Sequence, residues 1–211
     1  MPAERTVSIP IDGVELDGAL AVPEGATGLV VFAHGSGSSR HSPRNAFVAE
    51  ELRERALGTL LFDLLTETED QRRETRFDVS LLTDRLLGAT DWLAEQSETA
   101  DLAVGYFGSS TGAAAALRAA ARRPGRVGAV VSRGGRVDLA GDDVEGVRAP
   151  TLFVVGGADT QVLELNREAY ERLPGERALH VVEGAEHLFE GAGELDEVAG
   201  VAGDWFVTHL A

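Results

Sequence analysis

The sequence predicts a three-layer α/β protein: one mostly parallel β-sheet with helices on both faces, opened by an antiparallel hairpin at the amino terminus. Three observations lead there. Short β-branched runs alternate with longer helical patterns from residue 29 onward. Those runs are apolar nearly throughout, as strands buried on both faces are, instead of alternating apolar with polar. No repeat, low-complexity tract or long linker divides the 211 residues, so the chain reads as a single domain, 1–211.

The elements follow in order. Val7–Ile11 and Val14–Val22 flank Asp12-Gly13, a two-residue hairpin signal, because both residues tolerate the positive φ that such turns need. The buried strands are then Leu29–Ala33, Thr59–Phe62, Leu102–Phe107, Val127–Val131, Thr151–Val155 and Ala178–Val182. A first helix runs from about Ser42 to Leu57, with Ser42 as N-cap, Pro43 at the first helical position and Gly58 just past its end. In a second, roughly Asp78 to Glu95, Val79, Leu82, Leu86, Ala89 and Leu93 share one face. A third, Ser110 to Arg123, is rich in alanine, which lets a helix axis lie close to the strands beneath it, and it stops at Pro124-Gly125. Another begins near Thr160, and the last spans about Leu195 to Leu210. In such a sheet the loops at the carboxyl ends of the strands are the place for chemistry.

Composition narrows that chemistry. With 35 Asp and Glu against 19 basic residues the formal charge is -16, a field that repels phosphate backbones and anionic lipid head groups. Nucleic-acid and membrane partners are not expected, and no apolar window approaches the ~18 residues of a membrane span. The amino terminus lacks a secretion-type pattern, so a cytoplasmic protein, monomer or homodimer, is expected. Every basic residue is Arg, which rules out a P-loop lysine or a Schiff base. Cys is absent, excluding disulfides, thiolate metal sites and a cysteine nucleophile. The five histidines show no metal-ligand spacing on a helix face, so neither metal nor other cofactor is expected.

One segment carries a reactive group. Ala103 to Gly112 is a strand running through Gly108-Ser109-Ser110-Thr111-Gly112, a G-x-S-x-G pattern, directly into the alanine helix. Composition alone supplies about 0.14 such matches by chance. The strand before it and the helix after it are the context that gives the pattern meaning, a sharp turn that thrusts Ser110 outward as a nucleophile. The bland alternative makes Ser110 a helix cap. A serine hydroxyl needs a base and an orienting acid, later in the chain in the order acid, then His. The strand Thr151–Val155 empties through Gly156-Gly157 onto Asp159, the candidate acid, which could equally cap the next helix. Asp138 is the runner-up. His187 follows the last strand in a loop and is the candidate base, whereas His180 lies within that strand, His209 ends the last helix, and His34 and His41 precede the serine. The loop His34-Gly35-Ser36-Gly37-Ser38-Ser39-Arg40 offers the amide of Ser36, which with that of Thr111 makes a two-donor oxyanion hole. A dinucleotide reading of Gly35-Ser36-Gly37 fails, since Arg40 stands where the third glycine belongs.

On HGSGSSR at 34–40, GSSTG at 108–112, GGAD at 156–159 and AEH at 185–187, the chain resembles the α/β-hydrolase superfamily from its first hairpin to its last helix. Its small size and lack of a large cap look most like the dienelactone-hydrolase-like branch. Dienelactone hydrolases proper use a cysteine where this chain has Ser110. The resemblance therefore implies a serine hydrolase: Ser110 attacks an acyl carbonyl, His187 relays the proton, Asp159 holds the imidazole, and water releases the acyl-enzyme. A small ester is the expected substrate. Thioester or amide cleavage and acyl transfer use the same triad, and a non-catalytic binding protein on this fold is the third reading. Arg40, His41 and Arg133, with Arg44 and Arg136 nearby, follow strand ends and are candidates for binding a substrate anion. The competing reading pairs them with acids such as Asp63 and Asp138. The acid excess and the absence of Lys suit either a salt-adapted surface or compositional bias.

Overall fold

The computed structural model describes residues 4–210. Its strands are β1 (Arg5–Ile11), β2 (Val14–Ala21), β3 (Gly28–Ala33), β4 (Leu57–Phe62), β5 (Ala103–Ser109), β6 (Val127–Arg133), β7 (Thr151–Gly156) and β8 (Arg177–Val182). They form one sheet in the order β1-β2-β4-β3-β5-β6-β7-β8. Pairs β1/β2 and β2/β4 are antiparallel and the rest parallel. The hairpin turns at Asp12 and Gly13, both at positive φ (49° and 80°), and puts Ile11 opposite Val14. Positive φ at both turn residues matches the right-handed twist of the strands they join. Every residue of β3, β4 and β7 is buried, which accounts for their continuous apolar runs.

The helices are α1 (Pro43–Glu54), the single turns α2 (Glu67–Asp70) and α3 (Arg73–Arg76), α4 (Val79–Glu95), α5 (Thr111–Arg122), α6 (Thr160–Arg172) and α7 (Glu194–Leu210). On one face, α1 and α7 close over Phe32, Phe107 and Val131. On the other, α4, α5 and Ala169 of α6 close over Tyr106, Val130 and Phe153. Ala113 to Ala116 of α5 are wholly buried, so this helix lies hard against the sheet and fixes whatever its first turn carries. No helix among the described residues is long and apolar enough to cross a membrane.

Two expectations change. The first helix ends at Glu54, not near Leu57, and Gly58 is no cap but lies inside β4 beside Leu29. The left-handed residue is Ala56 (φ 57°), whose amide donates to Arg53 and whose carbonyl accepts from Thr27. That short reversal sets Leu57 opposite Gly28, starting β4 two residues earlier than its β-branched run suggests. The loops after β4 and β6 are also more ordered than their composition implies. A capping box at Thr66 and Glu69 opens α2. Residues Val137–Gly146 wind as two 3-10 turns broken at Gly141 (φ 60°), leaving β6 joined to β7 without a cap.

Candidate active site

The turn from β5 into α5 is tight enough to exclude side chains at its glycines. A Cβ on Gly108 would lie 2.5 Å from Ala113 Cα, and one on Gly112 would lie 2.0 Å from the carbonyl oxygen of Ala33. Between them Ser110 sits at φ 50°, ψ -118°, a strained conformation for a residue with a Cβ, and it is half-buried. The strain is held from the end of β6 and the loop after it: the Ser110 amide donates to Arg133 O (3.2 Å), and its carbonyl accepts from Arg136 N (3.0 Å). Although Ser110 occupies the N-cap position, its hydroxyl makes no capping bond, so the capping alternative fails.

Asp159 likewise stands at the N-cap of α6 without a capping bond. Its carboxylate instead takes a 2.7 Å hydrogen bond from His187 Nδ1. A carboxylate only accepts, so the proton of this bond is on Nδ1, and in the neutral imidazole Nε2 is then the nitrogen that can accept. The loop bearing His187 is fastened at several points. Ala158 N donates to Ala185 O (2.9 Å), Arg44 Nε donates to Leu188 O (3.0 Å), and Phe189 (φ 54°) is buried. The imidazole lies over Gly134, where a Cβ would stand 3.4 Å from Cε1. Since Arg133, one residue before, accepts the Ser110 amide, β6 brings serine and histidine to one corner. The bonds of Ser110 at that corner are made by its backbone, and its hydroxyl has no hydrogen-bond partner among the described residues, His187 included.

Ser36 N donates to Thr111 Oγ1 (2.9 Å). The two predicted oxyanion-hole residues therefore touch, but the Ser36 amide is engaged by that hydroxyl. Thr111 N, at the first position of α5, has no intrahelical acceptor. Before this loop His34 is buried, with Nε2 accepting from Leu64 N (3.0 Å) and Nδ1 donating to Gly35 O (3.0 Å). Burial holds its pKa below the usual histidine value.

The candidate anion contacts separate. Arg40 is spent: its backbone and guanidinium both bind Asp63, and Nη2 lies 3.5 Å from Asp17. It lines a cavity of about 360 Å³ with Glu15, Asp17, Asp63, Glu67 and Asp70, which takes in neither Ser110 nor His187. His41 is exposed and only its amide is bonded, to Ser39 Oγ. Arg136 grips Asp138 through two hydrogen bonds (2.9 and 2.8 Å), which holds the Asp138 carboxyl below its ordinary range and removes it from the acid position. Arg133 is buried, with its Cζ 5.8 Å from the centre of the Phe189 ring. Burial, with Arg44 nearby, pulls its pKa down to about 10. The sequence reading missed Asn45, whose side chain accepts from Ser109 Oγ (3.2 Å) and ties α1 to the serine turn, and nothing local in the sequence marks it. Among the described residues no three His, Cys, Asp or Glu side chains converge as metal ligands would.

Comparison with known proteins follows the same lines. The dienelactone hydrolase family model matches residues 60–199. A dienelactone hydrolase from Anabaena variabilis, known from its crystal structure, is 53% identical, with a TM-score of 0.97 over 100% of this chain and 99% of its own. Est1E from Butyrivibrio proteoclasticus (17% identical, TM-score 0.82, 97% and 98% covered) shares the fold. A protein of Mycobacterium tuberculosis, provisionally named a phosphoribosyl transferase, is 56% identical over 207 residues, 98% of this chain and 47% of its own length. The chain thus spans about half the length of the curated relatives it matches.

Proposed function

The chain belongs to the dienelactone hydrolase family, and from that premise we propose that it is a serine hydrolase cleaving a small ester through an acyl-enzyme. The carrying observation is the 2.7 Å Asp159–His187 hydrogen bond, set at the same corner as a strained Ser110 whose hydroxyl caps nothing. In this reading His187 Nε2 takes the Ser110 proton as Oγ attacks the acyl carbonyl. The tetrahedral oxyanion is met by Thr111 N–H and, once it displaces the Thr111 hydroxyl, by Ser36 N–H, each worth about 3 kcal/mol. His187 then protonates the leaving alcohol and expels it, after which water, deprotonated by the same imidazole, attacks the acyl-enzyme and frees the acid. Asp159 keeps the ring oriented and supports its charged form. A depression of about 600 Å³ beside His187 is lined by Leu188 and Phe189 together with Glu186, Glu190 and Glu194, and does not take in Ser110.

Matched p-nitrophenyl ester, thioester and anilide substrates test the reading. The ester is expected to turn over fastest, and Ser110→Ala to lose that turnover. Release of the acyl group to an added alcohol faster than to water would make the protein an acyl transferase instead. The transferase name of the Mycobacterium tuberculosis relative belongs to a protein of about twice this length, of which this chain matches 47%.

A further inference from the structure

The sheet ends in two edge strands, β1 and β8, and the chain treats them differently. An open edge offers a row of unpaired N–H and C=O groups to any strand that comes alongside, and proteins guard it with charge, polar side chains or proline. β1 is guarded: its exposed residues are Arg5, Thr6, Ser8 and Pro10, the last without an N–H, and Arg5 is held by Glu98. β8 is not. From Ala178 to Val182 it carries no Asp, Glu, Lys, Arg or Pro, and Val181 is 38% exposed. Its one imidazole, His180, is turned onto Glu197 of α7 (2.6 Å). Bonds to β7 fix which backbone groups are free. Thr151 N donates to Glu176 O (2.9 Å) and Gly157 N to Val182 O (2.8 Å), so the even-numbered residues turn toward β7. By the alternation of a parallel ladder, Arg177, Leu179 and Val181 turn their N–H and C=O groups outward.

We propose that β8 is a self-association edge, pairing antiparallel with β8 of a second copy across a two-fold axis and joining two sheets into one. Symmetry then requires that if one residue faces another, the second faces the first in return. One register matches the chemistry at every position. In it Leu179 and Val181 of one copy lie opposite Val181 and Leu179 of the other and exchange backbone hydrogen bonds, while His180 faces His180 at the axis. Arg177 then lies opposite Glu183 at both ends. Arg177 is open to this contact: its Cζ packs 4.9 Å from the centre of the Tyr170 ring, and its one hydrogen bond runs from Nη1 to Gly175 O (3.4 Å). Glu183 is exposed. Directly opposed residues sit about 5 Å apart, close enough for carboxylate and guanidinium to meet. A shift of two residues either way sets Arg177 opposite Val181 or Glu183 opposite Leu179, and loses both ion pairs. The net charge of -16 on each copy opposes association, so salt that cuts the Debye length to about 8 Å favours it. The inference stands independently of the serine-hydrolase reading.

Sedimentation equilibrium of the purified protein in about 0.15 M KCl tests this. The average mass is expected to climb from one chain toward two as concentration rises from about 1 μM to about 1 mM, the range in which small interfaces associate. Val181→Pro removes an outward N–H and places a ring in the path of the second strand without costing a bond to β7, so it is expected to stay monomeric throughout. Val181→Lys carries the same comparison if the proline variant does not fold. Glu183→Arg sets like charges at both ends and is expected to weaken association about 10-fold, although it lowers the net negative charge. Adding Arg177→Glu to it is expected to restore association. Amide hydrogen exchange reads the register: on raising the concentration, Leu179 and Val181 are expected to slow and β1 to stay as it was. A wild type that remains monomeric across the range overturns the proposal, as does association that Val181→Pro and Val181→Lys leave unchanged or that protects β1 in place of β8. A charge swap that fails to restore what Glu183→Arg removes overturns the register.

Discussion

Adding one methyl group at Gly112 is expected to damage both fold and activity, and the structure sets the size of the effect. The new Cβ would fall 2.0 Å from the Ala33 carbonyl oxygen and 2.6 Å from that of His34, where real Cβ atoms essentially never come under 3.0 Å. Both neighbours are backbone, so about 1 Å of movement must separate α5 from the end of β3. Overpacking of this kind costs about 3 kcal/mol. For a domain near 200 residues that lowers Tm by about 6 to 12 °C. The same shift separates Ser110 and Thr111 from the loop carrying Ser36, and a misplacement of about 1 Å can lower the rate about 100-fold. The control is Gly200 in α7, where a Cβ meets nothing within 4 Å. There Gly→Ala is expected to stabilise by about 0.5 to 1 kcal/mol through helix propensity. Thermal melts followed by circular dichroism, with kcat/KM on p-nitrophenyl acetate, check both. A Gly112→Ala protein with wild-type Tm and rate, or one indistinguishable from Gly200→Ala, would refute the account of the serine turn.

Other outcomes follow from the same geometry. Asp159→Asn is expected to cut kcat about 10⁴-fold by releasing the His187 tautomer, whereas Asp138→Asn, which breaks only a largely exposed ion pair with Arg136, should cost under about 1 kcal/mol and leave kcat within about threefold. Steady-state kinetics on the two variants decide which acid serves the histidine. His34 is held neutral by burial, its pKa lowered below 6.5, so the unfolded chain binds the extra proton first as pH falls. Stability is therefore full above pH 6.5 and declines below it, by up to about 1.4 kcal/mol per pH unit, until the folded-state pKa is passed. Urea unfolding at pH 7 and pH 5 should show a smaller loss for His34→Gln than for wild type; equal losses would mean that other groups set the acid limb.

Much of the site was legible because its signals are local. A serine between glycines at the junction of an apolar strand and an alanine helix describes a turn whose sterics operate within five residues, and Gly108 and Gly112 behave as that pattern requires. Asp159 and His187 were paired by their place after successive strands, since a parallel sheet delivers successive loops to one edge, and their side chains do meet. What escaped depends on contacts between distant segments. Ala56 takes the reversal expected of Gly58 because Thr27 waits for its carbonyl. Asn45 matters through Ser109, far along the chain. The engaged amide of Ser36 and the isolation of Arg133 appear only when loops meet, and no residue beside Arg133 in sequence announces that no carboxylate will reach it. The charge reading held in part: Arg40 and Arg136 do pair with Asp63 and Asp138, as the plainer alternative required.

The central claim is that Ser110 is the nucleophile. Fluorophosphonate labelling with intact-mass analysis and peptide mapping tests it most directly, since only an activated hydroxyl displaces the fluoride and forms the O–P bond. Folded wild type is expected to gain one adduct, on the peptide bearing Ser110 and on that residue, and Ser110→Ala to gain none. Labelling on Ser109, or a folded protein that takes no label, would contradict the account.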